Sequence, residues 1–421
     1  MSKLDDLIDE LCPNGVEYIV LGELGKFYGG LTGKSKDDFT DGNAAFITYK
    51  NVYSNPALDI DPEDTVKIGE DENQRTLEYG DVVFTGSSET PNECGFSAVV
   101  TKIPEKALYL NSFCFFFRFY DISGVEPDFL KHLFRSHSLR RQIGKTANGV
   151  TRFNVSKEKM AKIQIPLPPL PVQSEIVRIL DNFTELTAEL TAELTDRKKQ
   201  YEYYKKSLLT FEGEFELKQL GEICSVQAGG TPSKNEIDYW QNGTIKWLGS
   251  TVCKNQKTVD EITNYITELG LKKSSARLMQ KDSTLIALVG ATIGKVAFLP
   301  FEATINQNIA GVYPLDDKKV LPSYIYYACT MLYSKFLDLG KGKLAMANLS
   351  FVRSLEIPIP YPNDTDKSLL EQQRIVDILD RFDTLCNDIS KGLPSEIDER
   401  QKQYEYYRDK LLTFEKLDVE V

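Results

Sequence analysis

The sequence is poor in the residues from which catalytic and metal centres are built. Among 421 residues there are two histidines, His132 and His137. Without a nearby cysteine or acidic partner, two histidines are more often surface or core residues than a site. The seven cysteines (12, 94, 114, 224, 253, 329 and 386) are scattered, odd in number and free of any C-x-x-C pair. That pattern indicates neither a disulfide framework nor a zinc site, and a cytoplasmic protein with reduced thiols is expected. No apolar run approaches the roughly 18 residues of a membrane span, so no membrane is expected among the partners. Met1 to Leu11 is acidic and lacks a basic n-region followed by an apolar core, so it does not read as a secretory signal. Positive charge is in deficit too: the net charge of −12 argues against a general polyanion binder.

Cofactor motifs are equally scarce. Gly290-Ala291-Thr292-Ile293-Gly294-Lys295 resembles a phosphate loop, but it is one residue short between the glycines, and Val296 replaces the required Ser or Thr. A tight turn between strands is expected there. Gly29-Gly30 and Gly229-Gly230 lack the G-x-G-x-x-G pattern of a dinucleotide site. No Asn or Asp precedes a Pro-Pro-aromatic triplet, so the usual adenine-methylation motif is missing. No catalytic residue, metal site or cofactor is expected in this chain.

What the sequence does have is itself, nearly twice. Gln200 to Glu212 reads QYEYYKKSLLTFE and Gln403 to Glu415 reads QYEYYRDKLLTFE, differing at three positions. Gln173 to Phe183 (QSEIVRILDNF) matches Gln372 to Phe382 (QQRIVDILDRF), and Ile163-Gln164-Ile165-Pro166 matches Leu355-Glu356-Ile357-Pro358. Leu21-Gly22-Glu23 matches Leu220-Gly221-Glu222, and Gly29-Gly30 matches Gly229-Gly230, followed by Lys34 and Lys234. A period near 200 residues is far longer than a solenoid unit of about 50, so each half is a domain plus a helix. The helices are nearly alike and the domains diverge: the helices share one job, and the domains do different versions of another.

The helical segments are readable in detail. Prolines 168, 169 and 171 are tolerated at a first helical turn and not beyond it, so a helix should begin there. Ile176, Ile179, Leu180, Phe183, Leu186, Leu190 and Leu194 form an apolar stripe at three- and four-residue spacing. Running to about Leu209, this helix would span near 40 residues, or about 60 Å. It needs a partner, and the second copy, Leu369 to Phe414, is the obvious one. Gly392-Leu393-Pro394 should break or kink that copy. The tetrads Thr187-Ala188-Glu189-Leu190 and Thr191-Ala192-Glu193-Leu194 each add about 6 Å of helix and read as a ruler whose length can change in whole units. The outer helix faces look built to be covered, so the isolated chain is expected to be poorly soluble.

The intervening segments read as mixed α and β. Asp81 to Phe84, Ser97 to Val100 and Ser112 to Phe119 (SFCFFFRF) look like strands, with counterparts at Thr284 to Val289, Lys295 to Leu299 and Ala310 to Tyr313. Pro127 to Leu139 and Pro322 to Leu337 look helical. SFCFFFRF should be a buried strand. Charge is uneven as well. From Lys131 to Lys162 there are nine basic residues and one acidic, Glu158; from Lys318 to Arg353 there are six basic and one acidic, Asp338. A basic surface on each acidic-bodied domain is compatible with a shaped nucleic-acid interface or with a solvated helix face.

The QYEYY(K/R)xxLLTFE helices, the proline run before Gln173-Ser174-Glu175-Ile176, the TAEL tandem and Gly229-Gly230-Thr231-Pro232-Ser233-Lys234 together resemble the specificity subunit of a type I restriction-modification system, over nearly the whole chain. The resemblance implies an α+β fold: two mixed α/β target-recognition domains separated by two long antiparallel helices forming a coiled coil, with pseudo-twofold character. Its expected divisions are an N-terminal helical segment (1–14), a first recognition domain (15–169), a central spacer helix (170–212), a second recognition domain (213–368) and a C-terminal spacer helix (369–421). It also implies a non-catalytic subunit that binds double-stranded DNA, two methyltransferase subunits and restriction-translocase subunits. S-adenosylmethionine, ATP and magnesium would belong to those partners.

Under this reading phosphates take Lys and Arg, and bases take side chains at groove edges. The candidates are Arg140, Arg141, Lys145, Thr151, Arg152 and Asn154 in the first half, with Lys335, Lys341, Lys343 and Asn348 in the second. Lys34, Thr231, Ser233 and Lys234 form a further pair of candidate loops. Leu186, Leu190, Leu194, Tyr201, Tyr204, Tyr404 and Tyr407 are expected to serve as spacer and subunit-docking residues. Two other readings stay open: a related system whose single partner carries both methylation and cleavage, and a coiled-coil adaptor that binds protein only.

Overall fold

A computed structural model describes residues 3–210, 213–259, 261–339, 346–388 and 390–417. The chain divides into two compact units, Met1–Glu189 with Asp398–Val421, and Leu190–Ile397. Both are mixed α/β.

In the first unit the main sheet has the order Gly25–Gly29, Cys114–Phe119, Val82–Thr85, Ser97–Val99, with every neighbour antiparallel. The SFCFFFRF segment is its interior strand. Phe115, Phe116 and Phe117 are all buried, so apolar side chains cover both faces, and the expectation of a buried strand holds. A second sheet joins Thr65–Val66, Ala44–Ile47 and Leu108–Leu110, the last pair parallel. A third, of three short strands, joins Ala147–Asn148, Phe153–Val155 and Ser87–Ser88.

The second unit repeats this plan. Its main sheet runs Cys224–Ala228, Ile309–Pro314, Thr284–Ala287, Val296–Phe298, again antiparallel throughout. Its second sheet holds Ile245–Leu248 and Ala303–Ile305 as a parallel pair, flanked by Asn264–Ile266 and Leu278–Met279. The phosphate-loop look-alike is the turn of the hairpin Thr284–Ala287/Val296–Phe298. Gly294 sits there at φ +72°, where an added Cβ would lie 2.5 Å from the Cβ of Phe336. Glycine is required there by space and conformation, and the expected tight turn is found.

Each single helix expected after the sheet is two. Pro127–Leu133 and His137–Gly144 replace one helix over 127–139, because Ser136 leaves the helical region and its Oγ accepts the Leu139 N–H at 3.4 Å. Pro322–Thr330 and Tyr333–Leu339 replace the other.

The spacer helix Leu170–Leu209 is one uninterrupted element of 40 residues. It starts among its prolines and runs past the apolar stripe to Leu209, the expected end. The second copy is Thr365–Asn387 followed by Leu393–Leu411. The break falls just before Gly392-Leu393-Pro394, with Pro394 in the first turn of the new helix, where its missing N–H has no duty. The division between the two units falls inside Leu170–Leu209 and inside Leu393–Leu411.

Each unit pairs one helix segment from each copy. In the first, Phe183 stacks on Tyr407 with ring centroids 5.3 Å apart. In the second, Phe382 stacks on Tyr204 at 5.3 Å and lies 6.0 Å from Tyr201. Phe183 and Phe382 are repeat equivalents, as are Tyr204 and Tyr407. The start of either copy therefore packs on the end of the other, and the pairing is antiparallel. Val172, Ile176, Val177 and Leu180 are buried, whereas from Asp181 to Gln200 no side chain is. Leu186, Leu190 and Leu194 are half-covered. This middle section is held by helix-forming residues and by surface pairs such as Arg197–Glu193 and Lys199–Asp196.

Candidate nucleic-acid interface

Each domain is fastened to its spacer helix by a buried glutamine that the repeat duplicates. The Gln173 carboxamide donates to the Gly124 and Pro168 carbonyls at 3.0 and 2.7 Å and accepts the Glu126 N–H at 2.9 Å. Gln372 donates to the Lys319 carbonyl and to Ser368 Oγ at 3.1 and 3.0 Å and accepts the Leu321 N–H at 2.9 Å. In both units the amide satisfies the backbone just ahead of a helix opened by proline, Pro127 or Pro322. About two helical turns later an aspartate repeats the fastening. Asp181 Oδ1 lies 2.9 Å from His132 Nε2, and Lys131 Nζ is 2.9 Å from the same oxygen. Asp380 takes the Tyr327 hydroxyl and the Lys257 ammonium.

The His132 ring is 1% exposed, and its Nδ1 is 2.9 Å from the Tyr404 hydroxyl. The partners define the tautomer. Asp181 is an acceptor, so Nε2 carries the proton and Nδ1 accepts from Tyr404. Burial pushes the imidazole below its ordinary value, and the Asp181 hydrogen bond opposes this without cancelling it. Burial alone would raise the Asp181 carboxyl, but hydrogen bonds from His132 and Lys131 together hold it below the usual range. His132 is thus a neutral linchpin among domain, spacer helix and C-terminal helix. Sequence reading set it aside as a surface or core histidine; its partners, at positions 181 and 404, gave no local signal.

The basic stretch 131–162 separates into two kinds of cation. Arg140 is internal: it donates to the carbonyls of Asn92, Cys94 and Gly95, and its guanidinium lies 4.5 Å from the Phe96 ring centroid. Burial brings it down to about 10, so it stays cationic while holding the 92–95 turn. Arg135 does the same for Val52, Tyr53 and Ser97. Arg141, Lys145 and Arg152 are exposed and make no ion pair among the described residues. Arg141 and Lys145 line a groove of about 520 Å³ with Ser136, His137 and Gln142.

Thr151, Arg152 and Asn154 come together on the third sheet. Asn154 pairs across to Asn148 on one side and to Ser87 on the other. Arg152 donates from Nε to Ser87 Oγ at 3.2 Å, and its guanidinium lies 5.8 Å from the Phe113 ring centroid. Thr151, Arg152, Phe113, Tyr49, Lys50 and Tyr53 line a groove of about 730 Å³. Phe113 and Lys50, which sequence reading missed, belong to this surface. An exposed Phe beside a buried aromatic run carries no distinguishing pattern until the strand limits are known.

Lys34 lies elsewhere and is engaged: its Nζ donates to the Lys67 carbonyl at 2.5 Å and to Glu72 at 2.6 Å. Its counterpart Lys234 is exposed and makes no ion pair among the described residues. Lys234 lines a shallow groove with Ile237, Trp240, Gln241 and Asn264. Thr231 Oγ1 donates to Gln307 at 2.5 Å, and the Ser233 carbonyl accepts the Trp240 indole N–H at 3.0 Å. These two shape the loop that presents Lys234. Lys335 is exposed on Tyr333–Leu339. Asn348 caps Leu349–Ser354 by accepting the Phe351 N–H at 2.8 Å. Lys341 and Lys343 lie outside the described residues.

Two domains of one plan, each with its own exposed cations, invite comparison with known proteins. The family model "Type I restriction modification DNA specificity domain" matches twice, at residues 13–197 and 212–399. The chain belongs to that family. A curated relative, the EcoR124I/EcoR124II type I restriction enzyme specificity subunit of Escherichia coli, is 46% identical over 274 residues, covering 62% of this chain and 65% of that one. The match thus spans just under two thirds of that relative. A putative type I restriction enzyme specificity subunit of Haemophilus influenzae is 34% identical over 63% of this chain and 68% of its own length. Among solved structures, the S subunit of a type I restriction-modification system from M. genitalium aligns over 94% of this chain and 96% of its own, at a TM-score of 0.52 and 13% identity. A chain from work on complex assembly and conformational transition of the type I R-M system aligns over 95% and 98%, at 0.64 and 19%. These two likenesses concern the fold.

For a member of this family the spacer tyrosines divide by burial. Tyr201 and Tyr404 are buried within their own units, so they are helix-packing residues. Tyr204 and Tyr407 are half-used, stacked on Phe382 and Phe183. The outward ring of each copy is the neighbouring one: Tyr203 is 69% and Tyr406 62% exposed, set edge-on against Tyr204 and Tyr407. None of the described helices is long and apolar enough to cross a membrane.

Proposed function

We propose that this chain is the sequence-specific DNA-recognition subunit of a type I restriction-modification complex. Each domain reads one half of an asymmetric bipartite site in double-stranded DNA. The paired helices set the unread spacer and dock two methyltransferase subunits, and restriction-translocase subunits complete the assembly in the cytoplasm. In this reading the chain catalyses nothing, and S-adenosylmethionine, ATP and magnesium are bound by its partners. One observation carries it: the DNA specificity family matches twice in one chain, on two domains whose frameworks agree and whose exposed loops differ. Arg141, Lys145, Arg152 and Lys234 offer the unpaired cations that phosphate contacts use. The outward tyrosine pairs, one per helix copy, suit two equal partners.

The second tetrad gives the test. Thr191, Ala192 and Glu193 are exposed and Leu194 packs only in part against the core of the second unit, so deleting Thr191 to Leu194 should leave both domains folded. The deletion removes about 6 Å of helix, worth one to two base pairs at about 3.4 Å each. Methylation sequencing of DNA from cells carrying the complete system should show both half-sites unchanged and a shorter spacer. Altered half-sites with the old spacer would refute this reading.

A further inference from the structure

The two copies of the spacer helix differ in length, and the excess has a definite place. From Phe183 to Tyr204 the first copy advances 21 residues; from Phe382 to Tyr407, the equivalent rings, the second advances 25. Each copy starts at a ring stacked on the end of the other, Phe183 on Tyr407 and Phe382 on Tyr204. Two antiparallel copies joined at the same two rungs cannot both be unbroken helix when one has four more residues, about 6 Å of rise. The first copy is unbroken and the second is not.

The break is where the four residues go. Asp388 leaves the helical region at φ −73°, ψ 113°, while its N–H still donates to the Thr384 carbonyl at 3.2 Å. In a continuous helix Gly392 would stand about 6 Å beyond Asp388. Instead it returns to the same level: a Cβ added to Gly392 would lie 2.4 Å from the Thr384 carbonyl oxygen and 2.8 Å from that of Leu385. Only glycine fits against those carbonyls. A new helix then starts from it, with the Ser395 and Glu396 N–H groups donating to the Gly392 carbonyl at 3.0 and 3.3 Å. Four residues are thus consumed with almost no advance. The sequence marks which four. Without Lys391 to Pro394, Leu385, Ile389 and Ile397 align with Leu186, Leu190 and Leu194 of the first copy. That tetrad holds the glycine and the proline, the two residue types least compatible with a helix interior.

We propose that Lys391 to Pro394 is slack in the ruler: the second copy takes up its surplus at this break, and the continuous helix Leu170–Leu209 alone sets the length of the unread spacer. The inference rests on the DNA-reading role proposed above and narrows it to one helix of the pair. A continuous helix has a fixed rise per residue, whereas a connecting turn tolerates added residues at little cost.

Two variants of the full chain test this in cells carrying the complete system, with the methylated motif read by sequencing. One lacks Lys391 to Pro394, which makes the copies equal in length. The other gains Gly-Ser-Gly-Ser between Ser390 and Lys391, both exposed. Each should methylate the native motif with half-sites and spacer unchanged. If the second copy measured the site, the two changes would move the spacer by about one to two base pairs in opposite directions. A spacer shortened by the deletion or lengthened by the insertion would overturn the proposal and leave the DNA-reading role intact. So would loss of methylation in the insertion variant. A Thr191 to Leu194 deletion that leaves the spacer as it was would overturn the ruler reading, and this inference with it.

Discussion

The two domains use one device where they meet their helices and different devices where they face outward. Gln173 and Gln372 each bind one N–H and one carbonyl of the segment preceding a proline-led helix, and each has a third partner beside its own spacer helix, the Pro168 carbonyl or the Ser368 hydroxyl. One step further out the devices begin to differ: Asp181 takes an imidazole, whereas Asp380 takes a phenol, from the sixth residue of equivalent helices, His132 and Tyr327. At the surface they part fully. Lys34 is engaged by Glu72, whereas Lys234 is unpaired. Divergence grows with distance from the helices. That gradient is what a scaffold serving two different half-sites would need.

The sharpest way to break this comparison is to remove the shared anchor. Gln173→Ala leaves a buried N–H and two carbonyls without partners, and Gln372→Ala leaves an N–H, a carbonyl and a hydroxyl. Each should lower the stability of its own unit by about 3 kcal/mol, read by denaturant titration. If the anchor is one device used twice, the two losses should agree to within about 1 kcal/mol. A large loss in one unit and none in the other would end the equivalence.

The second prediction separates His132 from Tyr327 by pH. Burial depresses the imidazole below its ordinary 6.5, so the unfolded chain takes up the proton first. Stability from this source is full above pH 6.5 and falls as pH drops through that value toward the lower folded one. Thermal melts of His132→Gln, whose amide can still bridge Asp181 and Tyr404, should show a flatter decline below pH 6.5 than the native chain. Tyr327→Phe should leave the slope in that window unchanged. Identical slopes for native and His132→Gln would show that the network does not resist protonation.

These expectations also mark what the sequence could reveal. The spacer helices, their break near Gly392 and three of the four strands of each main sheet were legible, because periodicity, proline placement and near-identical repeats are local signals; the edge strands Gly25–Gly29 and Cys224–Ala228 were not read as strands. The Gln173 and Gln372 anchors were visible as matched letters, but their role depends on carbonyls some 50 residues away. Charge counting treated Arg140 and Arg141 alike. They are adjacent, yet a helix turns successive residues by about 100°, so one faces the 92–95 turn and the other solvent. Tyr203 and Tyr204 are both exposed, at 69% and 44%, and differ in direction for the same geometric reason.

The smallest expected effect is the most direct reading of the outward difference. Lys34→Ala removes a cation already bound to Glu72 and the Lys67 carbonyl. It should weaken that loop slightly and leave DNA affinity and its salt dependence unchanged. Lys234→Ala removes an unpaired cation. If Lys234 neutralises a phosphate, binding should weaken a few-fold at moderate salt, and the slope of log affinity against log salt should become shallower by about 0.9. The loss should be uniform across target sequences, since a phosphate contact carries no base information. Fluorescence anisotropy over a salt series separates the two variants. Equal slopes would mean that the exposed lysine and the engaged one are alike bystanders, and that the second domain takes hold of the duplex elsewhere. A loss confined to one base pair of the motif would move Lys234 from the backbone to a base edge, because only a base contact can distinguish sequences that share every phosphate.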